Sequence, residues 1–269
     1  MPNKTLFDGL FGDNYKDFGT IGDGLQVVYA LASQRFPIGY IGDRNTPARL
    51  AREQIDRSLA GNFGLIYHVE LAHPNDNVVK IQSESDFVES FTTHTSMTFS
   101  CDGLIVDKNN KSFMIETLLG DCACIVVWSD DWVGYMHVGR PEIMEKPSLI
   151  HHFFSKWPGN PESTHAWMGP CITGDHYELP QIPKEFQDFA TETEWGTQGL
   201  DLNRIILAQL KMEGLSDQVI TNVNIDPFSV LEFDDHTWAA SDQWAKRKSR
   251  ELGFPVCNLR NSAMLIVTG

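Results

Sequence analysis

Residues 118–140 read LLGDCACIVVWSDDWVGYMHVGR. Two apolar runs, CIVVW and WVGYMHV, flank Ser129-Asp130-Asp131. β-Branched and aromatic residues on either side of a short acidic break predict a β-hairpin. Side chains alternate faces along a strand, so the loop length decides what meets across the pair. An even-length loop puts Cys122, Cys124 and His137 on one face, with His137 opposite one of the thiols or a diagonal step away. Opposed Cβ atoms lie about 4.5–5.5 Å apart and diagonal ones about 7–8 Å. A three-residue loop without a bulge sends His137 to the other face. Both registers are open at this level. A thiol beside an imidazole can serve as a nucleophile with a lowered pKa, or two sides of a zinc site. It can equally be ordinary core, because cysteine is among the most buried residue types.

Outward from the hairpin, short strand-like runs precede it: LQVVYAL (25–31), GLIYHVEL (64–71), NVVKI (77–81), GLIVD (103–107) and FMIET (113–117). Helical patterns lie between and after them. Thr46-Pro47 can open one helix, with Ala51, Ile55 and Leu59 at spacing four. Pro147 can open another, carrying Leu149, Ile150, Phe153, Phe154 and Trp157 as an apolar stripe. Asp201 is placed to cap a third, with Leu202, Ile205, Ile206 and Leu210 on one face and Gly214 at its end. A charged fourth spans Ser241 to Leu252. AMLIVTG, at the end of the sequence, reads as a buried strand. The mixture predicts an α/β (α+β) fold: one domain over 25–269, with mixed sheet layers, flanking helices, and residues 1–24 as an N-terminal extension.

The 269 residues are 42% hydrophobic and 21% charged, ordinary globular values with enough length for a sizeable core. A formal net charge of −15 argues against nucleic-acid and anionic-membrane partners, and an anionic substrate would need a local basic pocket. The opening residues lack the basic and apolar blocks of a signal peptide, and no apolar run approaches the roughly 20 residues that span a bilayer. Five cysteines without a CxxC pair predict reduced thiols and a cytoplasmic setting. Nothing in the sequence points to an oligomeric state.

A set of short segments, in order from about residue 25 to 268, resembles the laccase-domain family, also known as peptidoglycan-editing-factor or polyphenol-oxidase-like proteins. ALASQRFPIGYIGD supplies Arg35 and Gly42-Asp43 where the family has a strand-ending Arg and a "GD". LAHPNDNVVKI supplies His73 against "QVHG..VV.V". CDGLIVD, with Asp102 and Gly103, matches "ADGLIT"; GDCACIV, with Asp121 and Cys122, matches "ADC.PV". VGYMHVGRPEI, with His137, Gly139 and Arg140, matches "VAAVHAGWRG". MGPCITGDHYEL, with Gly169, Pro170, Tyr177 and Glu178, matches "GP.I....YEV". LDLNRIILAQLKMEG and NLRNSAMLIV match the late helix and final strand.

The resemblance implies a single laccase-domain fold, related to that of cytotoxic-necrotizing-factor-type toxin deamidases. It implies a His-Cys-His centre, here His73, Cys122 and His137, that holds Zn²⁺ rather than copper. These three are then both the metal ligands and the catalytic residues, and Arg35 and Arg140 bind substrate or anion. The chemistry implied is phosphorolysis of purine nucleosides, deamination of adenosine, or both, with nucleoside and phosphate as small-molecule substrates. Departures from the family pattern are the missing Trp of "HAGWRG", His73-Pro74 in place of "HG", and the lack of a counterpart to "SYRR". Two other functions therefore stand beside the first. One is a metal-free cysteine hydrolase or deamidase with Cys122 as nucleophile and His137 as base. The other is a non-catalytic binding protein on the same fold.

Overall fold

Runs of Val, Ile, Leu and aromatic residues dominate residues 25–30, 65–70, 103–107, 113–119 and 123–138, and in the computed structural model they become the strands of two stacked sheets. The structure describes residues 4–11, 15–30, 58–59, 62, 65–70, 78–81, 91–92, 96–108, 112–228, 242–253 and 261–268. In chain order these give α1 (Lys4–Phe11), β1 (Tyr15–Gly22), β2 (Leu25–Ala30), β3 (Leu65–Glu70), β4 (Val78–Ile81), β5 (Phe91–Thr92), β6 (Ser96–Ser100), β7 (Gly103–Asp107) and β8 (Phe113–Leu119). The hairpin follows as β9 (Ala123–Trp128) and β10 (Trp132–Val138), then α2 (Arg140–Met144), α3 (Leu149–Lys156) and β11 (His165–Met168). Next come β12 (Ala190–Glu192), β13 (Gln198–Leu200), α4 (Leu202–Met212), β14 (Ile220–Asn222), α5 (Asp242–Leu252) and β15 (Asn261–Val267).

Among the described residues the first sheet has seven strands in the order β1-β2-β15-β8-β3-β6-β5, and the second has six, β14-β11-β9-β10-β7-β4. Both mix parallel and antiparallel pairs: β3 runs parallel to β6 and β8, and β4 parallel to β7, while β9 and β10 are antiparallel. A small β12-β13 ribbon stands apart from both sheets.

Alternation along the strands divides the apolar side chains into three layers. Val27, Tyr29, Tyr67, Ile115 and Leu265 of the first sheet meet Leu104, Val126, Tyr135 and Trp167 of the second. Ile66, Met114, Met264 and Ile266 face outward under Phe7 and Phe11 of α1. Ile125, Val127, Met136 and Val138 face the other way, under Leu149, Ile150 and Phe153 of α3 and Ile205, Ile206 and Leu210 of α4. The result is a single α/β domain of two mixed sheets with helices on the outer faces, as the residue pattern predicts.

Several elements fall where the sequence places them. The strand at 103–107 has the predicted bounds. Asp201 caps α4 by accepting the Arg204 N–H (3.0 Å), and Gly214 ends that region in the left-handed conformation (φ 97°). The helix expected to open at Pro147 instead begins at Leu149, with Ser148 as its cap. The serine Oγ accepts the His151 N–H, a role proline has no side-chain oxygen to fill. The helix expected from Thr46-Pro47 falls almost wholly outside the described residues; of its stripe only Leu59 is described, and it is buried.

Helix α3 docks on the second sheet through two glycines on neighbouring strands. The Phe153 ring lies where side chains on Gly103 and Gly134 would stand: a Cβ on Gly134 would be 2.2 Å from Phe153 Cζ, and one on Gly103 3.3 Å from Cδ2. Trp157 stacks on the same ring and also covers Gly134. Gly134→Val is therefore expected to push this helix off the sheet and to lower stability by roughly 1–3 kcal/mol, the usual range for overpacking. Urea unfolding should show it as a lower midpoint at an unchanged slope.

Candidate metal and catalytic centre

The hairpin register is settled by its turn. Val133 pairs with Trp128, and the Ser129 N–H donates to the Trp132 carbonyl (3.0 Å), leaving Asp130-Asp131 as a two-residue turn. The loop is of the even type, and His137 lies directly opposite Cys124. Cys124, Tyr135 and His137 all face the layer between the sheets. Cys124 belongs to that core: it is buried beside the Tyr29 and Tyr135 hydroxyls, and burial pushes its thiol up to about 12. Burial likewise pushes Cys101 up to about 12 and raises Cys171 well above the ordinary thiol range. Cys122 differs from these three in being half-exposed.

Strand ends bring the polar groups together. Ala123 pairs with Val138, so Cys122 and Gly139 follow at the same end of the sheet. A Cβ on Gly139 would be 2.5 Å from Cys122 Sγ and 3.0 Å from Glu142 Oε2, which explains a glycine here. On the other side of β10, Met136 pairs with Gly103, and the His137 N–H donates to the Asp102 carbonyl (2.9 Å). Asp102 thus stands at the start of β7 with its carboxylate beside the imidazole, Oδ1 3.9 Å from His137 Nδ1. Helix α2 then turns Glu142 back, and its Oε2 accepts the Gly139 N–H (2.9 Å). Asp102, His137 and Glu142 are all buried, and one donor atom from each lies within 4.8 Å of the others.

Both carboxylate oxygens of Asp102, and Nδ1 of His137, are buried with no hydrogen-bond partner among the described residues. Buried polar atoms are rarely left in that state, and a carboxylate is the costliest to leave so. A cation seated among these donors would satisfy them, so the residues fit a metal. Burial by itself lowers the His137 pKa, but Cys122, Asp102 and Glu142 around it outweigh that and hold it at about 10.

Of the residues singled out in the sequence, Cys122 and His137 are brought together. Arg140 is exposed at the start of α2 and near enough to Tyr177 to oppose the upward push of burial on that phenol. His73 and Arg35 lie outside the described residues, as do Gly42-Asp43. His68 is spent elsewhere: on the outer face of the first sheet its Nδ1 meets Glu116 at 2.5 Å, and Glu116 also accepts the Ser262 hydroxyl. His151 pairs with Glu213 at the surface (3.0 Å). Within Lys246-Arg247-Lys248, Arg247 lies over the Trp195 ring (3.8 Å), and both Arg247 and Lys248 pair with Glu251. Sequence reasoning missed Glu142. Its only signal was an acidic residue three positions after Gly139, the spacing at which a side chain reaches back to cap a first turn.

The chain as a whole has counterparts among known proteins. The family described as multi-copper polyphenol oxidoreductase laccase matches residues 38–233, and the chain belongs to that family. A curated relative from Streptomyces griseus, purine nucleoside phosphorylase ORF3, is 26% identical over 134 residues. That stretch is 47% of this chain and 52% of the relative, so the chain matches about half the length of that protein. Among solved structures, Neisseria meningitidis protein NMB0706 superposes with a TM-score of 0.67 at 17% identity, covering 96% of this chain and all of that one. Geobacillus stearothermophilus YlmD does so with a TM-score of 0.64 at 18% identity, covering 91% of this chain and 93% of that one. Bacillus licheniformis hypothetical protein YfiH gives 0.64 at 13% identity, with 91% and 94% covered. At these identities the likeness is one of fold.

Proposed function

We propose that this chain is a metal-dependent enzyme acting on purine nucleosides, with Zn²⁺ held by His73, Cys122 and His137. The observation that carries the reading is the buried Asp102 carboxylate, without a hydrogen-bond partner among the described residues, set against His137. The name of the Streptomyces relative supports the substrate class. Bound zinc would supply Lewis acidity toward a substrate or water oxygen. Asp102, set against the His137 ring, would lend an oxygen donor to the same ion. Arg140, exposed and near Tyr177, and Arg35 would hold phosphate through their forked donors. In phosphorolysis a phosphate oxygen bonds to C1′ of the ribose while the glycosidic C–N bond breaks, and the purine leaves with a proton. In deamination water adds at the amine-bearing carbon and ammonia departs.

A second reading has an observation of its own. Cys122, His137 and Asp102 stand in the order nucleophile, base, orienting carboxylate, which is the arrangement of a cysteine hydrolase. One experiment separates the two. Purified protein is freed of metal, reloaded with zinc or left bare, treated with iodoacetamide, and assayed on inosine with phosphate and on adenosine. The zinc reading expects nucleoside turnover by the loaded form alone, with alkylation concentrated on Cys122 of the bare form and blocked by zinc. Alkylation of Cys122 that zinc does not slow, together with turnover of amide substrates by the bare form, would replace it with the hydrolase. Cys101, Cys124 and Cys171 are buried and should stay unmodified in either case.

A further inference from the structure

Glu142 takes no part in the reading above, yet its side chain is aimed into the same centre. It has no solvent exposure. Its Oε2 is fixed by the Gly139 N–H at 2.9 Å, which sets the rotamer and the direction of the carboxylate. That direction is toward His137 and Asp102, with which it forms the group of donor atoms that lie within 4.8 Å of one another.

These three buried side chains crowd electron-rich donor atoms into one small space. A divalent ion among them would satisfy the Asp102 oxygens and His137 Nδ1, which have no hydrogen-bond partner among the described residues. We infer that Glu142 is a metal ligand of this chain, binding alongside His137 and Asp102, so that the ion has a mixed donor set richer in oxygen than a His-Cys-His site.

The inference rests on the proposal that the centre holds a metal. Oxygen donors suit Zn²⁺, Co²⁺ and Mn²⁺ and disfavour the thiophilic Cu⁺. The Gly139 N–H keeps an acceptor when Glu142 becomes glutamine, so the cap survives while the charge is removed.

The test uses Co²⁺ as a spectroscopic probe on the full chain, in wild type, Glu142→Gln and His137→Ala, with binding followed through the visible ligand-field bands. Glu142→Gln is expected to bind Co²⁺ at least about tenfold more weakly. Its bands should also change in intensity, because a ligand has been lost. A Glu142→Gln protein with the wild-type spectrum and affinity overturns the inference and leaves the metal proposal standing. Wild type that takes up neither Co²⁺ nor Zn²⁺ sinks both. Should Glu142→Gln fail to fold, anomalous scattering from zinc-loaded wild-type crystals decides the matter. A metal peak about 2.0–2.2 Å from a Glu142 oxygen sustains the inference, and a peak more than about 3 Å away ends it.

Discussion

If the proposed function holds, replacing His137 with alanine is expected to abolish tight metal binding and with it nucleoside turnover, while the chain stays folded. His137 lies at the meeting point of the centre: β10 carries it, its backbone N–H ties it to Asp102, and its ring is close to Cys122 and to both carboxylates. Removing an outer partner of a metal ligand commonly costs about 10–100-fold in affinity, and removing the ligand itself should cost more than about 100-fold. The fold should tolerate the change, since the ring's packing contribution is small beside the apolar layers that hold the sheets together. Metal content by mass spectrometry, zinc competition against a chromogenic chelator and thermal unfolding would be read together. A variant that keeps a full equivalent of zinc at wild-type affinity would show that His137 is not a ligand.

Phe153→Ala is expected to have the largest effect on stability. The ring is fully buried, stacks on Trp157 and covers both Gly103 and Gly134. Those glycines have no side chains with which to fill the hole, so the cavity stays open instead of collapsing. Buried Phe→Ala changes cost roughly 3–5 kcal/mol, and a site that cannot relax lies toward the upper end. For a chain of this size that corresponds to a fall in Tm on the order of 10 °C. The consequence should reach the centre as well, because Gly103 follows Asp102 directly and Gly134 lies on the strand that carries His137. A loss of less than about 1 kcal/mol would mean that α3 is not held to the sheet in this way.

How much of this was legible in the sequence depends on how local the determinant is. Strand β7 and helix α4 were readable to the residue or nearly so, because each has its own stop signals: Asp107 after an apolar run, Asp201 before one and Gly214 after it. The face shared by Cys122, Cys124 and His137 needed one further fact, the length of a turn, and two acidic residues supply it. The order of strands in the sheets was not readable, since β3 finds β6 and β8 by parallel pairing across long intervening segments. Asp102 shows the same divide within the centre. It was visible as part of a CDG motif, but its closeness to His137 follows from β7 pairing with β10, which no local pattern encodes. Glu142 was hidden by charge: an acidic residue after a strand reads as solvated surface until the Gly139 N–H is seen to draw it inward. Helix α3 was misplaced at its start because Pro147 and Ser148 compete for the cap position, and only the serine oxygen can receive an amide hydrogen.

The position of β15 bears on how the molecule is made. This strand follows its partners by about 140 and 230 residues in the chain, yet it lies inside the first sheet between β2 and β8, pairing with residues 25–30 on one side and 113–119 on the other. Until residues 261–267 are made, those two neighbours present bare, apolar, hydrogen-bonding edges, the kind that invite pairing with other chains. A chain cut before residue 261 is therefore expected to aggregate instead of folding into a smaller domain.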